Sequence, residues 1–291
     1  MDIFGVVARV AERGGMVLAL GGLDSGKSTF CKMCAEVAVR LGHTVAYLDT
    51  DIGQTTIGPP AAIGLRFISS EADVTPEALS RPDGLHFVGS ISPADHELAM
   101  VVGAMKLADQ ARVAGAHLIV VDTTGFIDGR PGQELKLAKI EALRPDFVVG
   151  FQRGGELEPI IGAVRRAFPP EVEALPVDAK VVPTTAEERA AARQARLRSI
   201  FEPPVFTWKV KPSVLFPAIP PDLDLAMLDR LLVGMEDGKG NCIGLGVLEY
   251  RDGLRMVSQL DEGAKALRLG SLKVTPDFRT IPFELQDALF L

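Results

Sequence analysis

Cysteine is scarce in this sequence, which excludes the small proteins that depend on disulfides or zinc clusters. Only 3 cysteines occur among 291 residues, too few for the framework of a disulfide-rich secreted domain. Cys31 and Cys34 have CxxC spacing, but no second pair completes a zinc site. Because residues i and i+3 share a helix face, we predict that both cysteines lie on a buried helix face.

Long apolar runs, aromatic residues and positive charge are also limited. No apolar run reaches the roughly 20 residues of a membrane-spanning helix. The first residues lack the layout of a signal peptide, so we expect a cytoplasmic protein. Aromatic residues make up 6% of the chain and the formal net charge is −7. These values argue against extended stacking on many bases and against a coat on nucleic acid, although a local basic groove is compatible with them.

Short apolar runs alternate with amphipathic stretches through the first two thirds of the chain. The runs predicted to be buried strands are Met16–Leu20, Val45–Leu48, Leu85–Val88, Leu118–Val121, Phe147–Val149 and Lys180–Val182. The stretches predicted to be helices include Ser28–Leu41, Glu97–Ala114, Pro131–Leu143 and Ala186–Ile200. This alternation predicts an α/β fold in which a parallel sheet carries helices on both faces.

The pattern changes after residue 203. The later apolar segments have the pattern of strands: Leu231–Met235, Ile243–Tyr250, Leu254–Leu260 and Leu267–Val274. Arg251, Asp252 and Gly253 form a predicted hairpin turn between two of them. We therefore predict a main domain over residues 1–203 and a small C-terminal β-rich domain over residues 204–291.

Residues 21–29 match the phosphate-binding motif GxxxxGK[ST] in full. An apolar strand precedes the motif and a helical pattern follows it, as this P-loop requires. The residues expected to hold the phosphates of a nucleotide are Gly22, Leu23, Asp24, Ser25, Gly26, Lys27, Ser28 and Thr29. Lys27 is expected to reach the β- and γ-phosphates, and Ser28 is expected to bind Mg²⁺.

Carboxylates follow two of the predicted strands. Asp122 ends an apolar strand in the Walker B form, which predicts a Mg²⁺ residue. Asp49, Asp51 and Gln54 lie at the C-terminal end of another strand, where ligands of parallel sheets bind. One of these carboxylates is placed to take a proton from a hydroxyl that faces the γ-phosphate. The alternative is that Asp49 caps a helix or holds Mg²⁺ through water, while Asp51 supports the loop.

Two other classes of P-loop protein fit less well. Asp122-Thr123-Thr124-Gly125 satisfies the DxxG of GTPases, but no N-K-x-D or T-K-x-D follows to recognise guanine. The deviant P-loop of partitioning ATPases needs a lysine before its two glycines, and Leu20 stands at that position.

The order of the motifs resembles the polynucleotide 5′-hydroxyl kinases over roughly residues 15–203. The motifs are the P-loop, D-x-D-x-G-Q at 49–54, Gly89-Ser90-Ile91-Ser92-Pro93, Thr123-Thr124-Gly125-Phe126 and an arginine-rich segment at 186–200. That family includes subunits of mRNA 3′-end, tRNA and ribosomal RNA processing machineries and stand-alone archaeal RNA kinases.

The resemblance implies a donor, an acceptor and roles for particular residues. It implies transfer from ATP (or GTP) with Mg²⁺ to the 5′-OH end of RNA or DNA. Asp51 matches the general base and Lys27 the charge-neutralising lysine, while Arg193 and Arg198 match arginines of a lid. The residues that the resemblance implies for Mg²⁺ binding are Ser28, Asp122 and Asp49. The residues that match substrate contacts are Gln54, Ser90, Ser92, Thr123 and Phe126.

The sequence also departs from the family pattern. Eukaryotic members carry an N-terminal β-sandwich that helps hold adenine, whereas here the P-loop begins at Gly21, so we expect base recognition from elsewhere. Phe126 replaces a tryptophan, and Ile91 stands where threonine is common. Two other functions stay open: a nucleotide-dependent switch or scaffold with little turnover, and a kinase of a small hydroxylated metabolite.

Overall fold

The computed structural model describes residues 2–261 and 263–283, which group into two compact units. The first unit contains residues 2–58, 63–83 and 92–184. The second contains residues 59–62, 84–91 and the described residues from Thr185 onward. Residues 185–203 therefore group with the second unit, and the predicted domain boundary after residue 203 stays a prediction.

The first unit is built on a mixed sheet with strand order β3-β2-β5-β1-β6-β7. Its strands are β1 (Gly15–Gly21), β2 (Val45–Thr50), β3 (Ala62–Ile68), β5 (Leu118–Thr123), β6 (Phe147–Gln152) and β7 (Glu171–Pro176), whereas β4 belongs to the second unit. From β2 to β7 each neighbouring pair is parallel, and β3 runs antiparallel to β2 at the edge. The predicted α/β fold with a parallel core is confirmed, and β3 is an addition to it.

The last strand of this sheet lies outside its predicted position. Lys180–Val182 forms no strand, and β7 occupies Glu171–Pro176 instead. Glu171 and Glu173 on this edge strand form ion pairs with Arg9 at 2.7 and 2.6 Å. A search for apolar runs passes over such a strand because its side chains are half polar.

Helices cover both faces of the sheet. They are α1 (Ile3–Arg13), α2 (Lys27–Arg40), the short α3 (Pro76–Leu79), α4 (Glu97–Val113), α5 (Gly129–Leu143) and α6 (Glu158–Ala167). Helices α1 and α2 pack on alternate residues of β1, β2 and β5, such as Val17 and Tyr47. The intervening residues, such as Leu18 and Leu48, are also fully buried, while α4 and α5 pack against each other and α4 contacts β2. Cys31 is buried on α2, as predicted.

The second unit combines mostly antiparallel strands with one long helix among its described residues, and β9 pairs parallel with β13. The elements are β4 (Gly84–Phe87), α7 (Ala186–Ser199), β8 (Phe206–Lys209), β9 (Leu215–Phe216), β10 (Leu231–Glu236), β11 (Cys242–Tyr250), β12 (Leu254–Ser258), β13 (Ala266–Val274) and β14 (Thr280–Pro282). Tyr250 pairs with Leu254 across the predicted hairpin. The strand predicted at Leu85–Val88 is β4, but it pairs antiparallel with β11, so its assignment to the parallel sheet was wrong.

Within the described residues, no helix has the length and apolar character that a membrane crossing requires.

Candidate functional site

The P-loop joins β1 to the N-terminus of α2. Gly26 has φ +93° and Asp24 has φ +48°, so both adopt the left-handed conformation that turns the loop. The N–H groups of the first turn of α2, including that of Ser28, lack carbonyl partners within the helix. They form the anion-binding end of the helix, where the helix dipole also favours phosphate.

Lys27 extends into this loop. Its side chain is 7% exposed, and its Nζ donates hydrogen bonds to Gly22 O at 2.6 Å and Ser25 Oγ at 3.2 Å. Burial lowers the Lys27 pKa, while the charges of Asp122 and Asp51 oppose that change. The ammonium group therefore belongs to a charged cluster that includes both carboxylates.

A pocket of about 240 Å³ opens at the loop. Its lining consists of Leu23, Asp24, Ser25, Gly26, Lys27, Ser28, Thr29, Asp51, Gln54, Gly125 and Val181. The predicted phosphate-binding residues thus share one cavity with Asp51 and Gln54, which come from the end of β2.

Asp49 and Asp51 have different environments although they are two residues apart. Asp49 is 1% exposed: its Oδ1 accepts the N–H of Asp51 at 3.0 Å, and its Oδ2 accepts those of Thr56 and Ile57. Burial and the charges of Asp122 and Asp51 raise its pKa. Both oxygens of Asp49 are therefore occupied by the backbone of the loop that follows β2.

Asp51 keeps one oxygen available. Its Oδ1 accepts the N–H groups of Gly53 and Gln54, both at 2.9 Å. Its Oδ2 accepts no hydrogen bond from the residues that the structure describes, and Asp51 lines the pocket. The Asp51 carboxylate is thus oriented by its own loop while one oxygen can receive a proton.

Asp122 lies buried below the P-loop. Its Oδ2 accepts the hydroxyl of Tyr47 at 3.2 Å, whereas its buried Oδ1 has no hydrogen-bond partner in the described chain. Burial raises the Asp122 pKa, and Lys27 and the Ser28 hydroxyl oppose this. A buried carboxylate oxygen beside a serine hydroxyl fits Mg²⁺, which takes oxygen ligands and retains water.

The same test does not favour Asp49 as a metal residue, because neither of its oxygens is available. No group of three or more His, Cys, Asp and Glu side chains among the described residues is arranged to hold a metal ion. This agrees with the P-loop arrangement, in which few protein groups and the phosphates share the ion.

The end of β5 and the segment that follows it contain residues of different exposure. Thr123 is fully buried, and its hydroxyl donates to Ala19 O at 2.7 Å, so that hydroxyl is engaged between strands. Phe126 is half-buried, and its N–H donates to Thr124 Oγ1 at 3.4 Å. A Cβ on Gly125 would lie 2.7 Å from the Leu23 backbone, so only glycine fits at this approach to the P-loop.

The remaining predicted site residues belong to different units. Ser92 is exposed in the first unit, whereas Ser90, Arg193 and Arg198 belong to the second. The helix predicted around the two arginines is confirmed as α7, and Arg198 lies over the Phe278 ring at 5.9 Å. The substrate and lid roles of these residues stay predictions.

Two site residues were missed by the sequence analysis. Lys136 and Lys139 of α5 are 0% exposed, and their ammonium groups contact the ends of β2 and β5. The available signal was their spacing: both lie on the face of α5 that also carries the buried residues Leu135 and Ile140. A lysine on an otherwise apolar helix face indicates a buried partner.

The chain is similar to known proteins over the region that contains the P-loop. The family described as mRNA cleavage and polyadenylation factor CLP1 P-loop matches residues 21–203. The polyribonucleotide 5′-hydroxyl-kinase of Pyrococcus horikoshii is 38% identical over 190 residues, which cover 64% of this chain and 49% of that protein. The chain thus spans about half the length of that relative. The corresponding Pyrococcus furiosus protein is 28% identical, with 96% of this chain and 93% of that protein covered.

Solved structures agree on the fold. A chain in the structure of the wild-type Clp1p–Pcf11p complex matches with a TM-score of 0.74 at 12% identity, covering 93% of this chain and 78% of that chain. Because the family match covers more than half of the 291 residues and includes the P-loop, Asp51 and Asp122, the chain belongs to the CLP1 P-loop family.

Proposed function

We propose that this protein is an ATP-dependent polynucleotide 5′-hydroxyl kinase that acts on RNA. The observation that carries the proposal is the shared pocket, in which the Asp51 carboxylate lies with the phosphate-binding residues of the P-loop. A base beside a γ-phosphate site serves a hydroxyl acceptor. The names of the two Pyrococcus relatives support a polyribonucleotide as that acceptor.

In the proposed reaction the 5′-hydroxyl oxygen attacks the γ-phosphorus, the bond to the β-phosphate oxygen breaks, and ADP leaves. Asp51 Oδ2 accepts the proton of the hydroxyl, while Oδ1 remains bonded to its loop. Lys27 stabilises negative charge on the transferring group. Ser28 and Asp122 would hold Mg²⁺, which neutralises phosphate charge when bound.

The acceptor is proposed to contact the exposed rim of the pocket. Gln54 is exposed there, and the half-buried Phe126, which follows the pocket residue Gly125, is the proposed stacking partner of a terminal base. Ser90, Ser92, Arg193 and Arg198 keep their family roles as substrate and lid residues within this proposal. The Thr123 role is different, because its buried hydroxyl can act only through the strands.

The test is transfer of labelled γ-phosphate from Mg·ATP to 5′-OH oligonucleotides, offered as RNA and as DNA. We expect label on RNA, with kcat for Asp51→Asn reduced roughly 10²- to 10⁴-fold, the usual contribution of a general base. Asparagine retains an acceptor for the N–H groups of Gly53 and Gln54, so ATP binding is expected to persist in this variant.

Each other outcome identifies a different function. Tight Mg·ATP binding without label on either strand would contradict the kinase proposal and favour the switch or scaffold. Label on a free nucleoside but not on an oligonucleotide would favour a kinase of small hydroxylated metabolites. Equal labelling by Asp51→Asn and the wild type would reject Asp51 as the base, and use of GTP in place of ATP would correct the donor.

A further inference from the structure

The two lysines of α5 are unusual because their amine groups are buried in the interior. Lys136 and Lys139 are both 0% exposed, and a buried ammonium group is strongly unfavourable unless it is paired and hydrogen-bonded. Burial lowers both pKa values, that of Lys139 to about 8. Apolar residues would occupy these positions without this penalty, so the contacts of the two amine groups account for the lysines.

Lys139 connects α5 to the two strands that carry the carboxylates. Its Nζ donates to Thr50 Oγ1 at 2.8 Å, and Thr50 Oγ1 donates to the backbone carbonyl of Asp122 at 2.8 Å. Thr50 lies between Asp49 and Asp51 in the sequence. This relay therefore fixes the end of β2 against the end of β5 at the level of Asp51 and Asp122.

Lys136 makes a second relay one strand further along. Its Nζ donates to Thr123 Oγ1 at 3.1 Å and to the carbonyl of Thr124. Thr123 Oγ1 donates in turn to Ala19 O at 2.7 Å, in the strand that leads into the P-loop. Together the relays link three adjacent strands, β2, β5 and β1, to one helix.

The relays also lie within the electrostatic network of the site. Asp51, Asp49 and Asp122 attract the Lys139 ammonium group. Burial and the charges of Lys139 and Lys27 lower the Lys136 pKa, and Asp51 and Asp122 oppose that change. With Lys27, three buried lysines belong to the same electrostatic network as these carboxylates. Burial raises the pKa of Asp49 and Asp122, and the charge of Lys27 opposes that rise at Asp122.

We infer that Lys136 and Lys139 are positioning residues that set Asp51 and Asp122 against the P-loop through Thr123 and Thr50. This inference rests on the proposed function for its kinetic test. Neither lysine contacts the pocket, so each acts through its threonine. Loss of an outer partner of this type typically lowers activity or metal affinity 10- to 100-fold.

The first test is a double-variant cycle with Lys139→Met, Thr50→Val and the combination. Lys139→Met keeps the approximate shape and removes the ammonium group, while Thr50→Val keeps the charge and removes the hydroxyl. We expect each single variant to lower kcat about 10- to 100-fold with little change in the KM for the oligonucleotide. The double variant should be no slower than the slower single variant, because both substitutions break one relay. Additive losses, or unchanged kcat in both, would overturn the inference.

The second test does not depend on turnover. ATP affinity is measured by calorimetry with and without Mg²⁺. The affinity with Mg²⁺ divided by the affinity without it reports how well Asp122 is placed to bind the ion. If removal of the lysine charge were the only effect, the site would attract Mg²⁺ more strongly. We expect a fall in that ratio for both Lys139→Met and Thr50→Val, and a rise or no change would contradict positioning.

Lys106→Met on α4 is the control for loss of a half-buried lysine outside this relay, and both the ratio and kcat should stay at wild-type values. Thermal melting confirms that each variant folds before it is compared. If the wild type labels no oligonucleotide, the proposed function fails while the Mg²⁺-dependent binding still decides whether the lysines position Asp122. A repeat with Lys136→Met and Thr123→Val tests the second relay in the same way.

Discussion

Asp49 and Asp51 divide two tasks at the end of β2. The three backbone N–H groups on Asp49 make it the organiser of residues 51–57, whereas Asp51 directs one oxygen to the pocket. Substitution of each aspartate by asparagine, which keeps the side-chain shape, should therefore lower stability at Asp49 and activity at Asp51.

Asp49→Asn is expected to destabilise the fold, because its Nδ2 would face a backbone N–H instead of accepting from it. The cost of one such buried unsatisfied contact is about 1–3 kcal/mol in the free energy of unfolding. Urea denaturation beside Asp51→Asn measures it, and Asp51→Asn should remain close to the wild type. A stable but inactive Asp49→Asn protein would instead assign Asp49 a direct part in catalysis or Mg²⁺ binding.

Lys139 gives the stability a defined pH dependence. Its pKa falls from 10.5 to about 8 on folding, so between these pH values the unfolded chain binds more protons than the folded one. The Lys139 contribution to the free energy of unfolding therefore rises with pH across this window, by up to about 1.4 kcal/mol per pH unit. Below pH 8 the lysine is charged in both states, and its contribution is constant.

Lys139→Met lacks this titration. The stability difference, variant minus wild type, should be largest below about pH 8 and should decrease as the pH rises towards 10. Urea denaturation of both proteins at several pH values measures the difference directly. A difference that does not change with pH would mean that Lys139 titrates at its ordinary value in the folded protein.

The residues of the site that the sequence predicted are those carried by contiguous motifs. The P-loop, Asp51 and Asp122 each stand in a short pattern whose chemistry depends on local spacing. Other features depend on which strands become neighbours, and a local sequence pattern does not predict strand neighbours. These features are the hydrogen bonds to both Asp49 oxygens and the burial of Thr123. The helical pattern assigned no role to Lys136, although its spacing from Leu135 and Ile140 placed it on the buried face of α5.

At the level of elements, the prediction was accurate where a buried strand or long helix has a continuous pattern. The core strands β1, β2, β5 and β6 and helices α2, α4, α5 and α7 lie within a few residues of their predicted positions. Strand β3 was missed because its pattern is interrupted by Gly64 and Arg66, and the edge strand β7 because it carries alternating glutamates. Such segments become strands because they pair with neighbouring strands in the folded protein, and sequence periodicity does not predict that pairing.

The turn from the P-loop into α2 depends on one glycine. Gly26 has φ +93°, and a Cβ there would meet no atom within 4 Å, so the cost of an alanine lies in its backbone conformation alone. We expect Gly26→Ala to destabilise the fold by about 1–2 kcal/mol. It should also weaken ATP binding, because relief of the strain turns the N–H groups at the start of α2 away from the phosphates.

Gly42 provides a matched control at the other end of the same helix. It has φ +82° and also has no atom within 4 Å of an added Cβ. Gly42→Ala should cost a similar free energy of unfolding while ATP affinity, measured by calorimetry, stays unchanged. Equal losses of affinity in the two variants would show that global stability, not the loop, controls nucleotide binding.

At the scale of the whole molecule, charge and composition limit how the protein can hold RNA. A net charge of −7 with 6% aromatic residues leaves little for an extended electrostatic or stacking surface. The proposed kinase needs only the 5′-terminal nucleotides, and these bring few phosphates to the site. The number of contacted phosphates can be measured from the salt dependence of the reaction. Each neutralised phosphate of a single strand contributes about −0.7 to the slope of log affinity against log salt concentration.

We therefore expect log kcat/KM for a 5′-OH RNA oligonucleotide to fall with log salt at a slope near −1.4, which corresponds to about two neutralised phosphates. The slope should be the same for short and long oligonucleotides, since added nucleotides would lie beyond the site. Measurement at saturating Mg·ATP, with free Mg²⁺ held constant, isolates the acceptor from the donor. A slope several times steeper, or one that grows with oligonucleotide length, would mean that a basic groove binds the RNA body, and end-directed recognition would have to be abandoned.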